Sequence, residues 1–388
     1  MTDPAPPPER IAVVHDWLDT WRGGENVLGE VLGLYPHADL YSLVDFLPDD
    51  LRDRIGGRRA RTSFVQRLPG SRRHFRKYLP LFPRAIEALD VTGYDLVISI
   101  SHAVAKGVRK APEALHVCYC LTPMRYAWDL RDAYVATLGR HGGLRQSLAN
   151  RGLDRLREWD RRSAARVDRF AAISRFIAAR IDASYGRDAQ VIYPPVDTEY
   201  FTPVTRNAAA GDHYLTASRW VPYKRIDAIV GAFRALPHRR LVVTGDGPEA
   251  ARIRAAAGPN VKFVGDVSRA RLRDLMRGAR AFLFAAEEDF GIVPIEAQAC
   301  GTPVLAYGRG GATETIRGPN APGPSGAFFV EQTSESIVDA VRAFEDRPVP
   351  IAAADCRANA MRFAIPRFRA ELTAFVAEAW QAHAAGRR

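Results

Sequence analysis

The chain has 388 residues, 47% hydrophobic and 26% charged, enough for two domains of ordinary size and unlike a disordered protein. No apolar stretch approaches the roughly 18 to 20 residues that span a bilayer, and the Pro-rich N-terminus lacks the basic and apolar regions of a signal peptide, so a cytoplasmic protein is expected. A formal net charge of +11 and a pI near 9.7 call for an anionic partner: nucleic acid, an acidic membrane face or a phosphorylated substrate.

Short apolar runs alternate with helical patterns in both halves, which predicts parallel sheets covered by helices. In the first half the strands are expected at Ile11–His15, Leu40–Val44, Leu96–Ser101, His116–Leu121, Phe170–Ser174 and Val191–Pro194, with a long Arg-rich helix from about Leu144 to Val167. In the second half they are expected at Tyr214–Ser218, Arg240–Thr244, Val261–Gly265, Ala281–Ala286, Pro303–Tyr307 and Ala327–Val330. The joint falls near Pro194–Val204, Thr205–Gly211 reads as a linker, and a last amphipathic helix runs from about Phe368 to Ala382 after Pro366. The fold class is α/β, two doubly wound domains with a cleft between them, where ligands sit outside the carboxyl ends of the strands.

Two segments bear on partners. Cys118 and Cys120 alternate along an apolar strand with no further soft ligand at a usable spacing, so free packed thiols are expected and no metal site. From Arg52 to Lys77 there are ten Lys or Arg residues, interleaved with Phe64, Val65, Leu68 and Phe75 and followed by Tyr78, Leu79, Leu81 and Phe82. Such a mixture suits a surface lying on anionic lipid, and a solvated basic face fits it as well.

The chemistry concentrates in Glu288-Asp-Phe-Gly-Ile-Val-Pro-Ile-Glu296. The apolar run before it suits a buried strand, Gly291 allows close backbone approach, Pro294 suits the first turn of a helix and Gly301 ends that helix. The N–H groups around Phe290, Gly291 and Ile292 then form an anion site at a helix start. Two acids beside a phosphate site suit hydroxyl groups, so a ligand with phosphates in the middle and polyols at each end, a nucleotide-sugar, is expected.

Other strand ends add to it. Arg219 and Lys224, five positions apart across a Pro-containing turn, can converge on a diphosphate. The turn Thr244-Gly245-Asp-Gly-Pro248 brings backbone close either to a ligand or to the protein itself, and Val264-Gly265 could flank a nucleobase. Gly308-Arg-Gly-Gly311 opens another loop onto the same rim, with Glu314 in the helix that follows. In the first half Gly23 and Gly24 open a helix directly after the first strand, although no Gly-x-Gly-x-x-Gly is present. His15-Asp16, Ser101-His102, Lys106-Gly107 and Thr122-Pro-Met-Arg125-Tyr126 carry polar groups to three strand ends.

Together the Glu288-x7-Glu296 motif, the Arg219/Lys224 pair, Gly245-Asp-Gly-Pro248 and Cys300-Gly-Thr-Pro303 resemble retaining glycosyltransferases of family 4. Trp17 with Arg22-Gly-Gly-Glu25, Ser101-His-Ala-Val-Ala-Lys-Gly107 and Thr122–Tyr126 resemble the bacterial branch that uses GDP-mannose to build polysaccharides on polyprenyl diphosphate lipids. The resemblance implies a GT-B fold, two Rossmann-like domains facing a central cleft. Residues 1–204 would bind the acceptor, 205–365 the nucleotide-sugar, and a C-terminal helix, 366–388, would pack back on the first domain.

Carried over by position, Glu296 would bind ribose hydroxyls and Glu288 the hydroxyls of the transferred sugar. Arg219, Lys224 and the amides of Phe290 and Gly291 would hold the diphosphate, Gly23 and Gly24 would close on it from the opposite domain, and His15, Arg125 and Tyr126 would lie on the acceptor side. Where many relatives carry a histidine this chain has Leu121, a role that His102 or His15 could fill in part. The resemblance also implies catalysis without metal or cofactor, a lipid-linked saccharide as acceptor and peripheral attachment to the inner face of the plasma membrane. A different donor sugar or a nucleotide-sugar epimerase remain the alternative readings, while no nucleic-acid fold signature appears.

Overall fold

The computed structural model describes residues 5–129, 143–204 and 211–386. Apart from Gly211, the expected linker Thr205–Gly211 lies outside the described residues. The chain divides into two compact units, 1–193 together with 368–388, and 194–367.

The first unit is built on a seven-stranded sheet in the order β3-β2-β1-β4-β5-β6-β7, every pairing parallel. Its strands are β1 (Ile11–His15), β2 (Asp39–Ser42), β3 (Arg61–Thr62), β4 (Leu96–Ser101), β5 (Leu115–Cys120), β6 (Arg169–Ala172) and β7 (Ala189–Val191). Helices α1 (Gly23–Leu34), α2 (Ser71–His74), α3 (Phe82–Glu87), α4 (Gly143–Ala164) and α5 (Arg175–Tyr185) connect them. Every residue of β4 and β5 is buried, which is why these strands read as continuous apolar runs rather than as alternating ones. Two of their polar members meet across the pair, Ser99 Oγ and His116 Nε2 lying 2.8 Å apart.

The second unit carries six parallel strands in the order β10-β9-β8-β11-β12-β13. They are β8 (His213–Ala217), β9 (Arg240–Thr244), β10 (Val261–Gly265), β11 (Ala279–Phe284), β12 (Val304–Tyr307) and β13 (Gly326–Phe329). The helices are α6 (Ile226–Ala232), α7 (Ala250–Ala255), α8 (Arg269–Arg277), α9 (Ile292–Ala299), α10 (Ala312–Thr315), α11 (Ser334–Glu345), α12 (Ala353–Met361) and α13 (Ile365–Ala385). In both sheets the strand order reverses once, between β1 and β4 and between β8 and β11, so each unit has one switch point of the kind that receives ligands.

Besides shifts of one to three residues at several other element ends, three departures from expectation have a physical reason. The last strand of the first unit is Ala189–Val191, not Val191–Pro194, because its ladder partners Phe170–Ala172 are used up at Val191. The two-residue strand β3, too short to carry a periodic signal, pairs with Tyr41 and Ser42 at the sheet edge. The last helix begins at Ile365, earlier than Phe368, and holds Pro366 in its first turn, where a missing N–H costs nothing. From Phe368 onward α13 belongs to the first unit. There the Phe368 ring meets Tyr119 edge-on at 5.7 Å, Arg369 Nε donates to Glu30 at 2.6 Å, and Trp380 Nε1 donates to the Pro6 carbonyl at 2.7 Å.

The basic segment is anchored by the apolar residues expected to share its surface. Val65, Phe75, Leu79 and Phe82 lie in the core of the first unit, leaving Phe64 and Leu81, each 39% exposed. Several cations are already partnered. Buried Arg52 forks onto Asp45 at 3.1 and 2.9 Å, Arg59 pairs with Asp49 at 3.1 Å, and Arg76 pairs with Asp19 at 2.8 Å. Arg67, Arg72, Arg73 and Lys77 remain exposed, with no acidic partner among the described residues. No helix among the described residues is long and apolar enough to cross a membrane, and the four cysteines are buried free thiols.

Candidate functional site

In the second unit the loop leaving β8 is pinned by the one leaving β9. Buried Trp220 accepts this role through its backbone and ring, its N–H donating to the Asp246 carbonyl at 2.9 Å and its Nε1 to the Thr244 carbonyl at 3.3 Å. Gly245 has φ +104°, and a Cβ there would lie 1.9 Å from the Ser218 carbonyl oxygen. A Cβ on Gly247 would meet the Trp220 carbonyl oxygen at 2.4 Å. These glycines are required by the protein's own backbone, which selects the structural reading of the turn. Val264, half-buried, precedes Gly265, whose carbonyl accepts the Gly245 N–H at 2.9 Å.

With that loop fixed, Arg219 is exposed at the carboxyl end of β8 and Lys224 ends the short 3-10 turn Pro222–Lys224. Arg225 follows at φ +52°, the one non-glycine residue with positive φ among those described. From the far side of the switch point the loop after β11 delivers Glu288, and Lys224 Nζ forms an ion pair with its carboxylate. Each of the two side chains keeps about a fifth of its surface exposed, 17% for Lys224 and 21% for Glu288.

The Glu288 loop is itself backed by glycines. The Gly311 N–H donates to the Glu288 carbonyl at 2.8 Å, and a Cβ on Gly311 would lie 2.5 Å from Phe290 Cα. Gly310, at φ +63°, would place a Cβ 2.5 Å from the Glu288 carbonyl oxygen. The expected rim loop therefore serves as a support for Glu288–Phe290. Phe290 is buried against Phe363 with ring centroids 5.6 Å apart. Gly291, at φ +88°, caps α9 without a side chain, and Ile292 opens the helix. Glu296 lies in the second turn of α9, where burial pushes its carboxyl up to about 7, Arg269 opposing the shift and Asp197 adding to it.

In the first unit the switch point carries a buried polar knot. The Asp16 carboxylate, fully buried after β1, accepts the backbone N–H groups of His102, Ala103, Val104 and Ala105 at 2.6, 3.0, 2.6 and 2.6 Å. It also holds His102 Nδ1 at 3.0 Å. Burial alone would raise Asp16, but the His102 imidazole and backbone bring it well below the carboxylate range. Burial alone would lower His102, but Asp16, with Glu25 further off, holds it above its ordinary value.

His15 is fully buried, its Nε2 3.4 Å from Glu25 Oε1, so its ring is enclosed in this unit and not offered to an acceptor. Glu25 also accepts the Arg22 N–H at 2.8 Å, closing the N-terminus of α1, at whose start stand Gly23 and Gly24. A Cβ on Gly24 would lie 3.0 Å from Leu121 Cδ1 and 3.7 Å from His15 Cε1. Arg125 and Tyr126 are half-buried in the turn after β5, Tyr126 against the core. Lys106 points inward instead of toward a strand-end opening: fully buried, it pairs with Asp160, which also accepts from Trp128 Nε1 at 2.8 Å and the Tyr185 hydroxyl at 2.7 Å. Sequence reasoning set Asp16 at a strand end and Glu25 in a motif but assigned neither a role, although Arg22-x-x-Glu25 has the spacing of a capping box.

The arrangement offers cations and a helix start at one switch point and an imidazole at the other. Among the described residues no three His, Cys, Asp or Glu side chains converge on a metal position.

In comparison with known proteins, two family models match successive parts of the sequence. The family model described as Glycosyltransferase Family 4 matches residues 43–200, and that described as Glycosyl transferases group 1 matches 207–363. D-inositol 3-phosphate glycosyltransferase of Mycobacterium avium is 32% identical over 190 residues, 44% of this chain and 44% of that protein. A GDP-mannose-dependent monoacylated alpha-(1-6)-phosphatidylinositol monomannoside mannosyltransferase of Corynebacterium glutamicum is 29% identical over 184 residues, 40% of this chain and 48% of that one. The chain thus spans less than half the length of the curated relatives it matches. Among solved structures, Anabaena Alr3699/HepE in complex with UDP and glucose superposes with a TM-score of 0.68 at 17% identity, covering 94% of this chain and 98% of that one. Sucrose-phosphate synthase of Thermosynechococcus elongatus gives 0.69 at 19%, covering 96% and 99%. At such identities the likeness speaks for the fold, and that fold is GT-B.

Proposed function

The chain belongs to the family 4, group 1 glycosyltransferases, and from that premise we propose that it transfers a hexose from a nucleotide-sugar with retention of anomeric configuration. Mannose from GDP-mannose is the donor favoured by the first-half motifs and by the GDP-mannose dependence of the Corynebacterium relative. The acceptor proposed is a saccharide on a polyprenyl diphosphate, handled by an enzyme resting on the cytoplasmic membrane face.

The observation that carries this reading is the meeting of Lys224 and Glu288 at the second unit's switch point, one loop away from the glycine-capped start of α9. A diphosphate suits Lys224, Arg219 and the first amides of that helix, while Glu288 suits the hydroxyls of the attached sugar and Glu296 those of the ribose. In the reaction the bond from the anomeric carbon to the diphosphate oxygen breaks and one to the acceptor oxygen forms on the same face. The leaving phosphate oxygen takes the acceptor's proton. Charge grows on the diphosphate, so fixed cations there lower the barrier electrostatically, and activity is expected to survive a chelator.

The test is a panel of nucleotide-sugars in thermal-shift and transfer assays. GDP-mannose is expected to raise the melting temperature and to be consumed with acceptor present. A panel in which no nucleotide-sugar stabilises the protein or is consumed would overturn the reading. A UDP-hexose is the second candidate, favoured by the UDP and glucose bound to the structurally similar Anabaena protein.

A further inference from the structure

Burial along α13 stops at Ala379, although the helix runs on to Ala385. What meets its last turns is Ala5-Pro-Pro-Pro8, the proline-rich segment that precedes β1. We propose that Trp380 and Gln381 form a binding site for a proline-rich strand in the left-handed polyproline conformation. Ala5–Pro8 of the same chain fills it, and that docking holds the end of α13 in place. All of these residues belong to the first unit, so the site owes nothing to the sugar-transfer reading.

The chemistry of the segment dictates what can bind it. Ala5, Pro6 and Pro7 each precede a proline, which steers all three away from the helical region. The result is an extended strand, with neither helix nor turn between residues 5 and 8. Proline has no N–H, so the segment offers one backbone donor, at Ala5, and otherwise carbonyls alone. The two side chains on α13 match that inventory. Gln381, an amide that both donates and accepts, takes the Ala5 N–H on Oε1 at 2.7 Å and gives Nε2–H to the Ala5 carbonyl at 2.9 Å. Trp380, a donor only, gives its indole N–H to the Pro6 carbonyl at 2.7 Å. Proline-rich segments suit aromatic surfaces because the preformed strand loses little entropy on docking.

The strand is also fixed beyond its prolines. The next two N–H groups, of Glu9 and Arg10, both donate to Asp95 Oδ2, at 3.1 and 2.8 Å, and Arg10 leads directly into β1. From residue 5 to residue 10 every backbone N–H is thus taken by a side chain of Gln381 or Asp95. Ala5 and Pro8 are half-buried while Pro6 and Pro7 face solvent, so the strand lies along the helix surface. The helix is braced from another side, where His383 Nε2 donates to the Glu113 carbonyl at 2.9 Å. A helix end that buries no apolar side chain frays, and these polar ties take the place of the missing burial.

Hydrogen exchange on the whole protein reads this site. In a variant lacking residues 1–8, the amides of 380–385 are expected to exchange about tenfold faster, while those around buried Leu372 keep their wild-type rate. Replacing Pro6, Pro7 and Pro8 together by Ala retains every carbonyl but loosens the strand, and should give an intermediate rate. Trp380→Phe keeps a ring and removes the donor, so it too should speed exchange, and it stays informative where the shortened chain fails to fold. The Trp380 indole N–H resonance, identified by its loss in that variant, should shift once residues 1–8 are gone. Wild-type exchange at 380–385 in the shortened chain, or in Trp380→Phe where only that variant folds, would overturn the proposal. Wild-type exchange in the triple alanine variant would overturn the polyproline character of the site. Analytical ultracentrifugation is expected to give the same oligomeric state with and without residues 1–8. A dimer seen only when they are present would assign the strand to a second copy and overturn docking within one chain.

Discussion

Lys224 and Glu288 are joined as an ion pair across the switch point of the second sheet, although one comes from the loop after β8 and the other from the loop after β11. Each charge thereby answers the other, and under the proposed function a diphosphate would draw Lys224 to itself and free the Glu288 carboxylate for a sugar. Glu288→Gln and Lys224→Met are each expected to slow transfer about 10²-fold. Because both act at one junction, the double variant should lose much less than the product of the two losses, as coupled neighbours do. Intact-mass measurement during turnover should detect no sugar on the protein. A covalent adduct, or strictly multiplicative losses, would remove the shared role.

Glu296 gives a pH signature. Its carboxyl, pushed up from 4.5 to about 7 chiefly by burial, has a folded value above its unfolded one. Ionisation is therefore a burden that appears as pH rises from 4.5 toward 7 and is constant above it. Glu296→Gln is expected to be more stable than the wild type at pH 8, by about 1–3 kcal/mol, and to lose that advantage near pH 4. Nucleotide affinity should move the other way, strengthening as pH climbs through 7 and the carboxylate becomes able to accept from ribose hydroxyls. Calorimetric titration with GDP or UDP from pH 5.5 to 8.5 reads this directly. A flat affinity in the wild type would refute it.

Alanine at Gly310 or Gly311 tests the support beneath the Glu288 loop. Each methyl would meet backbone at 2.5 Å, and at Gly310 the φ of +63° adds strain. A loss of about 1–3 kcal/mol is expected in denaturant melts. Nucleotide binding should weaken more than that of a surface alanine variant of equal stability.

Lys106→Met would leave the buried Asp160 carboxylate with its Trp128 and Tyr185 donors but without its cation. An uncompensated buried charge of this kind costs about 3–5 kcal/mol. The melting temperature should fall accordingly, and the double variant Lys106→Met/Asp160→Asn should recover part of the loss.

The basic face can be tested separately from catalysis. Arg67, Arg72, Arg73 and Lys77, with Phe64 and Leu81 beside them in sequence, are the exposed residues left over after internal pairing. Co-sedimentation with vesicles rich in phosphatidylglycerol, but not with phosphatidylcholine alone, is expected in low salt. Reversing Arg72, Arg73 and Lys77 to Glu should abolish it. Equal binding by that triple variant would show that the cations merely solvate the surface.

Much of the architecture was legible because parallel strands covered on both faces announce themselves as short apolar runs. Ile11–His15, Leu96–Ser101, Arg240–Thr244 and Val261–Gly265 have the bounds that their patterns predict. What escaped was partnership across long stretches of chain. Asp16 and His102 stand 86 positions apart, Lys106 and Asp160 stand 54 apart, and no periodicity links such pairs. Glycines gave a half-answer of the same kind. Gly245 and Gly310 do mark close approach, yet what comes close is the backbone at Ser218 and Glu288, which only the folded chain reveals.

The way α13 ends has a consequence for biosynthesis. Leu372, Phe375 and Val376, translated after the second unit, bury themselves in the unit whose sheet was made first. A nascent chain emerging from the ribosome must keep the apolar seat around Tyr119 uncovered while the whole second unit is synthesised. A fragment cut at Tyr193 would inherit that bare seat permanently, so it should need a chaperone or the separately supplied helix to stay in solution.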